Sequence, residues 1–440
     1  MSNKNFIQLL ISLLCAFTTY FMDDALIGVI AIVFVYLSNL KLNATHYLSD
    51  PRTLFLGFYV CYAVIFPLRI IFTGLTILPM DFNALAQSVL YQLVGIIVMI
   101  TIFNIACVRR YNSSKNFFEV NAEENVGYKS RTSERIVIFI VFFIIVIGGV
   151  LVFKSGATSK RELLDSNSGI NSIIGYVVLF GLIAICLRAL RVSRTMQLDP
   201  ILYCFFILLL VNMLVTGERD SLFRFIILML FVFFDFHKRA NFKITVFLLL
   251  MAVFVVPISQ LFKSAFLSGS IGVVQTGLEL LLSNEFVSAG QNLYSLIYFG
   301  VDHSVLFVFT DLVRAFTPSV LLDSLNIQST VAWFNNTYRV ENSFSGTAGW
   351  GFGIIAEGYL IGDLAGIVFV SFALSLFISF FYRRSFISEY YYVFYLCLIT
   401  TSIYVLRGDL ANLFSQSLKI NGILVIFLYF LHKLFIRIAR

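Results

Sequence analysis

The chain has 440 residues, 59% of them hydrophobic and 12% charged, with a formal net charge of +7. That composition excludes a soluble globular domain, because apolar stretches repeatedly reach the roughly 18–20 residues that cross a bilayer core. The runs are continuous rather than alternating, which predicts helices and excludes a β-barrel, since backbone groups in lipid must pair within the segment.

Twelve spans are predicted in chain order, at residues 6–22, 25–40, 53–72, 84–108, 136–153, 170–188, 200–216, 222–236, 244–262, 351–381, 390–406 and 421–436. Lys4 leads directly into a full-length span, so no cleavable signal is expected. Three units follow: residues 1–262 with nine spans, one large loop at 263–350, and residues 351–440 with three spans. Cys15, Cys61, Cys107, Cys186, Cys204 and Cys397 all fall inside apolar runs and read as small core residues rather than disulfide or metal ligands.

With a cytoplasmic N-terminus, one set of connections collects 20 of the 31 basic residues, including Arg109, Arg110, Arg131, Arg135, Arg188, Arg191, Lys238, Arg383, Arg384 and the 433–440 tail. The positive-inside rule makes that set cytoplasmic, with both termini on that side. The basic excess therefore reflects orientation and gives no reason to expect nucleic acid as a partner. The opposite face holds 16 of the 24 acidic residues and the long loop, and no nucleotide-binding loop appears on the cytoplasmic side. Chemistry is expected outside the cytoplasm, without ATP. The 109–135 connection, rich in Asn and Ser, reads as a flexible tether.

Three outer turns each end a span with a cation beside a small residue. "FKSGATSKRELLDSNSG" at 153–169 supplies Lys154, Lys160 and Arg161, with Glu162 and Asp165 as local partners if the loop is merely solvated. "TGERDSLF" at 216–223 sets Arg219 before a helix starting near Ser221, with Arg224 about a turn and a half on. Two arginines at a helix N-terminus suit a phosphate, whereas snorkelling to the headgroups is the plain alternative. "YVLRGDLANLFSQS" at 404–417 places Arg407 beside Asp409, which as a surface pair would be unremarkable chemically.

Within the long loop, "DHSVLFVFTDLVRAFTP" at 302–318 reads as a helix stopped by Pro318, with His303, Thr310 and Arg314 on one stripe. Such a helix would lie on the membrane surface. His303, the one histidine on this face, is a candidate base for a sugar hydroxyl, with Glu357 and Asp311 next. "ENSFSGTAGWGFGIIAEGYLIGDLAG" at 341–366 carries Glu357 into the tenth span with Asp363 deeper. A neighbouring arginine is the expected partner for Glu357. Gly358, Gly362 and Gly366 form a small-xxx-small row, expected to pack a neighbouring helix.

These patterns, "TGERDSLF", "SGTAGWGFGIIAEGYLIGDLAG" and "LRGDLANLF", together with the late single large loop, resemble the O-antigen polymerase (Wzy-type), or oligosaccharide repeat-unit polymerase, family over most of residues 130–420. The resemblance implies an all-α polytopic membrane protein of the GT-C-like kind shared with O-antigen ligases, of about 12 transmembrane helices with one periplasmic loop carrying helices, in the bacterial inner membrane. It implies a metal-independent glycosyltransferase without cofactor, whose donor and acceptor are glycans on undecaprenyl diphosphate. Arg219, Arg224 and Arg407, with Arg161 and Arg314, would then stabilise the departing diphosphate. Trp333, Tyr338, Phe344 and Trp350 would stack on sugars or anchor at the interface. A chain-length regulator protein would be a partner beside membrane lipid. Two further readings stay open: a flippase or other transporter of the same lipid-linked units, and an O-antigen ligase. No internal repeat relates the two halves, which weighs against a transporter.

Overall fold

The computed structural model describes residues 3–43, 47–74, 78–107, 132–154, 175–190, 192, 199–216, 219–236, 241–268, 282, 285–317, 330, 333–334 and 352–438. Arg161, Lys160, Gly217, Tyr338, Phe344, Trp350 and the 109–131 stretch lie outside them.

The described residues form helices and no strands. The helices are α1 Asn3–Met22, α2 Ala25–Leu42, α3 Leu54–Thr73, α4 Phe82–Ala106, α5 Thr132–Lys154, α6 Gly175–Leu190, α7 Pro200–Thr216, α8 Asp220–Phe236, α9 Phe242–Ser268, α10 Val287–Phe299, α11 Leu306–Phe316, α12 Ile354–Ser385, α13 Glu389–Val405, α14 Leu410–Phe414 and α15 Ile423–Ile438. A π-helical stretch, Ser415–Gly422, joins the last two. Six helical runs among the described residues are long and apolar enough to cross a membrane: α1, α2, α3, α4, α12 and Leu410–Leu434. The protein is a helical membrane protein. Large side chains on its flanks, such as Phe6, Phe17, Phe139, Phe247, Phe369 and Phe430, are exposed, as a lipid-facing surface requires.

Polar residues cut the apolar runs into helices at their ends. Asp24 and Asp81 are extended N-caps whose carboxylates accept from Leu26 and Ile27, and from Asn83 and Ala84. Hydrogen bonds gather the helix ends at two poles. At the lower pole, Arg52 forks onto Asp50 at 2.9 and 2.8 Å, Tyr382 donates to Asp50 at 3.1 Å, and Asn104 donates to Asn39 at 2.9 Å. Asp235 there accepts from the backbone of Leu48 and Ser49 and from the Tyr392 hydroxyl. At the upper pole, α10 ties in through Tyr294, which donates to the Pro79 carbonyl at 2.8 Å and accepts from the Asp81 N–H.

Two expectations from the sequence are corrected here. The glycine row does not pack a neighbouring helix. The backbone of α12 leaves helical geometry at Gly362 and Asp363, the latter at φ 51°. A Cβ built on Gly366 would fall 2.1 Å from the Gly358 carbonyl oxygen, and one on Gly358 would fall 2.9 Å from Ile367 Cα. In a continuous helix those residues would stand about 12 Å apart, so the chain folds back on itself. Residues 354–361 form a short buried helix, and residues 364–385, about 33 Å long, make the span. The second correction concerns 302–318. The helix starts only at Leu306, because Ser304 gives its N–H to the Leu360 carbonyl at 2.8 Å and caps Leu306 with its hydroxyl. His303 therefore sits ahead of the helix and off the Thr310–Arg314 stripe.

Candidate functional site

At the upper pole an apolar cavity of about 220 Å³ runs down between α3, α8, α9 and α13. Its walls come from helical faces: Phe223, Ile227 and Leu230 at i, i+4, i+7 on α8, with Phe58 on α3 and Met251 and Val255 on α9. Its mouth carries Asp220, Arg224, Glu285, Tyr404 and Arg407. The Arg407 and Arg224 guanidinium groups both lie over the Tyr404 ring, at 4.5 and 5.0 Å. Arg224 also donates to Gln416 of the π-helical stretch at 2.8 Å. Glu285 bridges the cations: one carboxylate oxygen takes Arg219 Nη2, and the other takes Arg407 Nη1 at 2.5 Å. Asp220 lies 3.9 Å from Arg407. Burial pushes the Arg407 guanidinium down, but Tyr62, Tyr404, Glu285 and Asp220 around it more than offset that and hold it above its ordinary value.

Behind this mouth lies a second polar cluster, reached through the turn Arg407-Gly408-Asp409. The turn is fixed by Gly353, whose N–H bonds the Gly408 carbonyl at 2.9 Å. Arg407 faces the cavity, while Asp409 faces the buried carboxyls of Glu357 and Asp311. No Arg407–Asp409 pair forms the turn. Asp311 accepts from both the hydroxyl and the N–H of Thr330 and from Arg314 Nη1 at 3.2 Å. Asp409 caps Asn412 at 2.7 Å, and burial pushes its carboxyl up to about 6, with the charge of Asp311 adding to the rise and Arg314 and the Asn412 N–H opposing it.

Glu357 departs from expectation. Its partner is not an arginine: Oε2 accepts the Leu410 N–H at 2.8 Å, and Oε1, fully buried, meets no N–H or O–H donor among the described residues. The buried Asp311 carboxyl is its neighbour.

His303 occupies a third position, exposed, beside Tyr359, which is two residues along the short helix from Glu357. Its Nδ1 lies 2.7 Å from the Tyr359 carbonyl oxygen and its ring stands edge-on to Tyr359 at 4.8 Å. A carbonyl only accepts, so Nδ1 donates in this contact, and in a neutral imidazole Nε2 is then the acceptor. Arg219, Arg224 and Arg407 thus meet at the cavity, Asp311, Arg314 and Glu357 meet behind it, and His303 stands apart. Trp333 packs on Phe307 at 4.7 Å.

Sequence reasoning passed over Glu285, Asp220, Tyr404 and Gln416. The one signal for Glu285 was general: buried arginines need a carboxylate, and the long loop is where acids are plentiful. Among the described residues, no group of three or more His, Cys, Asp or Glu side chains is arranged to hold a metal ion. No protein-family model, curated protein or solved structure matches the chain.

Proposed function

We propose that this chain is a glycosyltransferase that polymerises oligosaccharide repeat units carried on undecaprenyl diphosphate, in the bacterial inner membrane, with the upper pole facing the periplasm and about twelve helices crossing. One observation carries the reading: an apolar cavity between four helices ends in two arginines stacked on one tyrosine. A polyprenyl tail suits the walls, and guanidinium forks suit the headgroup. The orientation is supported by described basic residues at the lower pole, Lys41, Arg52, Arg383 and Arg384 among them.

In the reaction, an acceptor hydroxyl attacks the anomeric carbon of the donor's reducing-end sugar. The new glycosidic bond forms as the bond to diphosphate oxygen breaks, and undecaprenyl diphosphate leaves. Arg407, Arg224 and Arg219 stabilise the charge that builds on it. His303 Nε2 takes the hydroxyl proton.

Arg407→Ala tests this in cells. Surface polysaccharide should collapse to single-repeat chains while the protein stays at its normal membrane level, and Arg407→Lys should restore only part, since a point charge lacks the fork. A wild-type ladder from the alanine variant would overturn the proposal. A second reading, a transporter of the same lipid-linked units, draws on the break at Gly362–Asp363, because discontinuous helices are common in transporters. It predicts lipid movement without any lengthening of the glycan.

A further inference from the structure

Glu285 holds, between two arginines, the position an anionic headgroup would take. Its two oxygens are divided between Arg219 and Arg407. The cations are enclosed, with side chains 11% and 13% exposed, and Arg407 is further pinned against Tyr404. Glu285 is 29% exposed and sits in the turn ahead of α10, so it is the member of the trio with a route to solvent.

We propose that Glu285 is the headgroup selector of this cavity, yielding the arginines to a diphosphate lipid and withholding them from lipids with a single phosphate. The proposal rests on the lipid-phosphate reading above. Displacing the carboxylate breaks two charge-assisted hydrogen bonds, which only an anion that engages both guanidinium groups replaces. A diphosphate presents two phosphoryl groups, enough for Arg219 and Arg407 together, with Arg224 beside them over the shared Tyr404 ring. A phosphodiester brings one negative charge on two non-bridging oxygens, no more than the Glu285 carboxylate it would have to displace, so the exchange gains it nothing. The distinction matters because Met251 and Val255 in the cavity wall are exposed on the helix surface. A bare arginine clamp open to the bilayer would fill with ordinary phospholipid, which outnumbers any lipid-linked glycan.

The test measures binding of farnesyl diphosphate, farnesyl monophosphate and a short-chain phosphatidylglycerol to the purified full-length protein in detergent. Wild type should prefer the diphosphate by about tenfold or more, the scale of one charged hydrogen bond. Glu285→Gln should bind all three more tightly and reduce the preference to about threefold or less. Glu285→Asp, whose shorter side chain cannot span both arginines, should move the same way and carries the test if the glutamine variant melts early. An unchanged or larger preference in a variant with wild-type melting overturns the selector, as does weaker diphosphate binding. Arg407→Ala separates the two claims. If it binds farnesyl diphosphate like wild type, the lipid-phosphate reading falls. If it loses that binding while Glu285→Gln leaves the preference untouched, the selector alone falls.

Discussion

Alanine at each of the three glycines in α12 should give three different results. At Gly366 the new methyl would meet the Gly358 carbonyl oxygen at 2.1 Å, about 1 Å inside van der Waals contact. The obstacle is backbone on the short helix that carries Glu357, so relief requires the two arms of the fold-back to separate. Overpacking of this kind costs about 1–3 kcal/mol, and backbone against backbone belongs at the upper end. At Gly358 the contact is 2.9 Å to Ile367 Cα, a deficit of about half an ångström and roughly half the cost. At Gly362 a Cβ meets nothing within 4 Å, and the change should stay within about 1 kcal/mol. Thermal unfolding of purified variants in one detergent reads the order directly: Gly366→Ala lowest, Gly358→Ala between, Gly362→Ala near wild type. A straight helix with its glycine row against a neighbour would penalise all three alike. Equal losses, or a wild-type Gly366→Ala, would refute the fold-back and the placement of Glu357 and Tyr359 that depends on it.

Three further outcomes can be checked with the same preparations. His303→Ala should lower turnover by about 10²–10⁴-fold and alter the pH–rate profile, whereas near-normal turnover with an unchanged profile would remove it as the base. Asp409, whose carboxyl titrates near 6 against the ordinary value near 4, binds a proton more readily folded than unfolded. Stability should therefore fall as pH rises from about 4 to about 6, by on the order of 3 kcal/mol, and level off above; Asp409→Asn, which retains a capping side chain, should flatten that slope. Arg52→Ala would leave the buried Asp50 carboxylate with the Tyr382 hydroxyl and the backbone N–H of residue 52 but no cation, and a loss of about 3–5 kcal/mol is expected from denaturant unfolding.

The helices were legible because hydropathy sets their length and carboxylates such as Asp24 and Asp81 cap them. The fold-back was not, because "GYLIGDLAG" stays apolar enough to read as one span. The reversal is written only in a close approach between residues eight apart. Arg219, Arg224 and Arg407 stood out as cations where lipid makes them costly. Glu285 did not, because an acid in a polar loop is ordinary until tertiary structure brings it to two arginines. His303 was identified by type but misplaced, since the start of its helix is decided by the bond from Ser304 to Leu360, a contact between distant segments.

The central claim is tested most directly by giving the purified protein a single undecaprenyl-diphosphate-linked repeat unit, with no nucleotide sugar, no ATP and no ion gradient, and resolving the products by mass spectrometry. The account predicts lipid-linked dimers and longer chains, one undecaprenyl diphosphate released for every unit added, and neither product from Arg407→Ala. Substrate that stays at one repeat while active protein is demonstrated by its lipid binding, or that crosses the bilayer unextended, would contradict it.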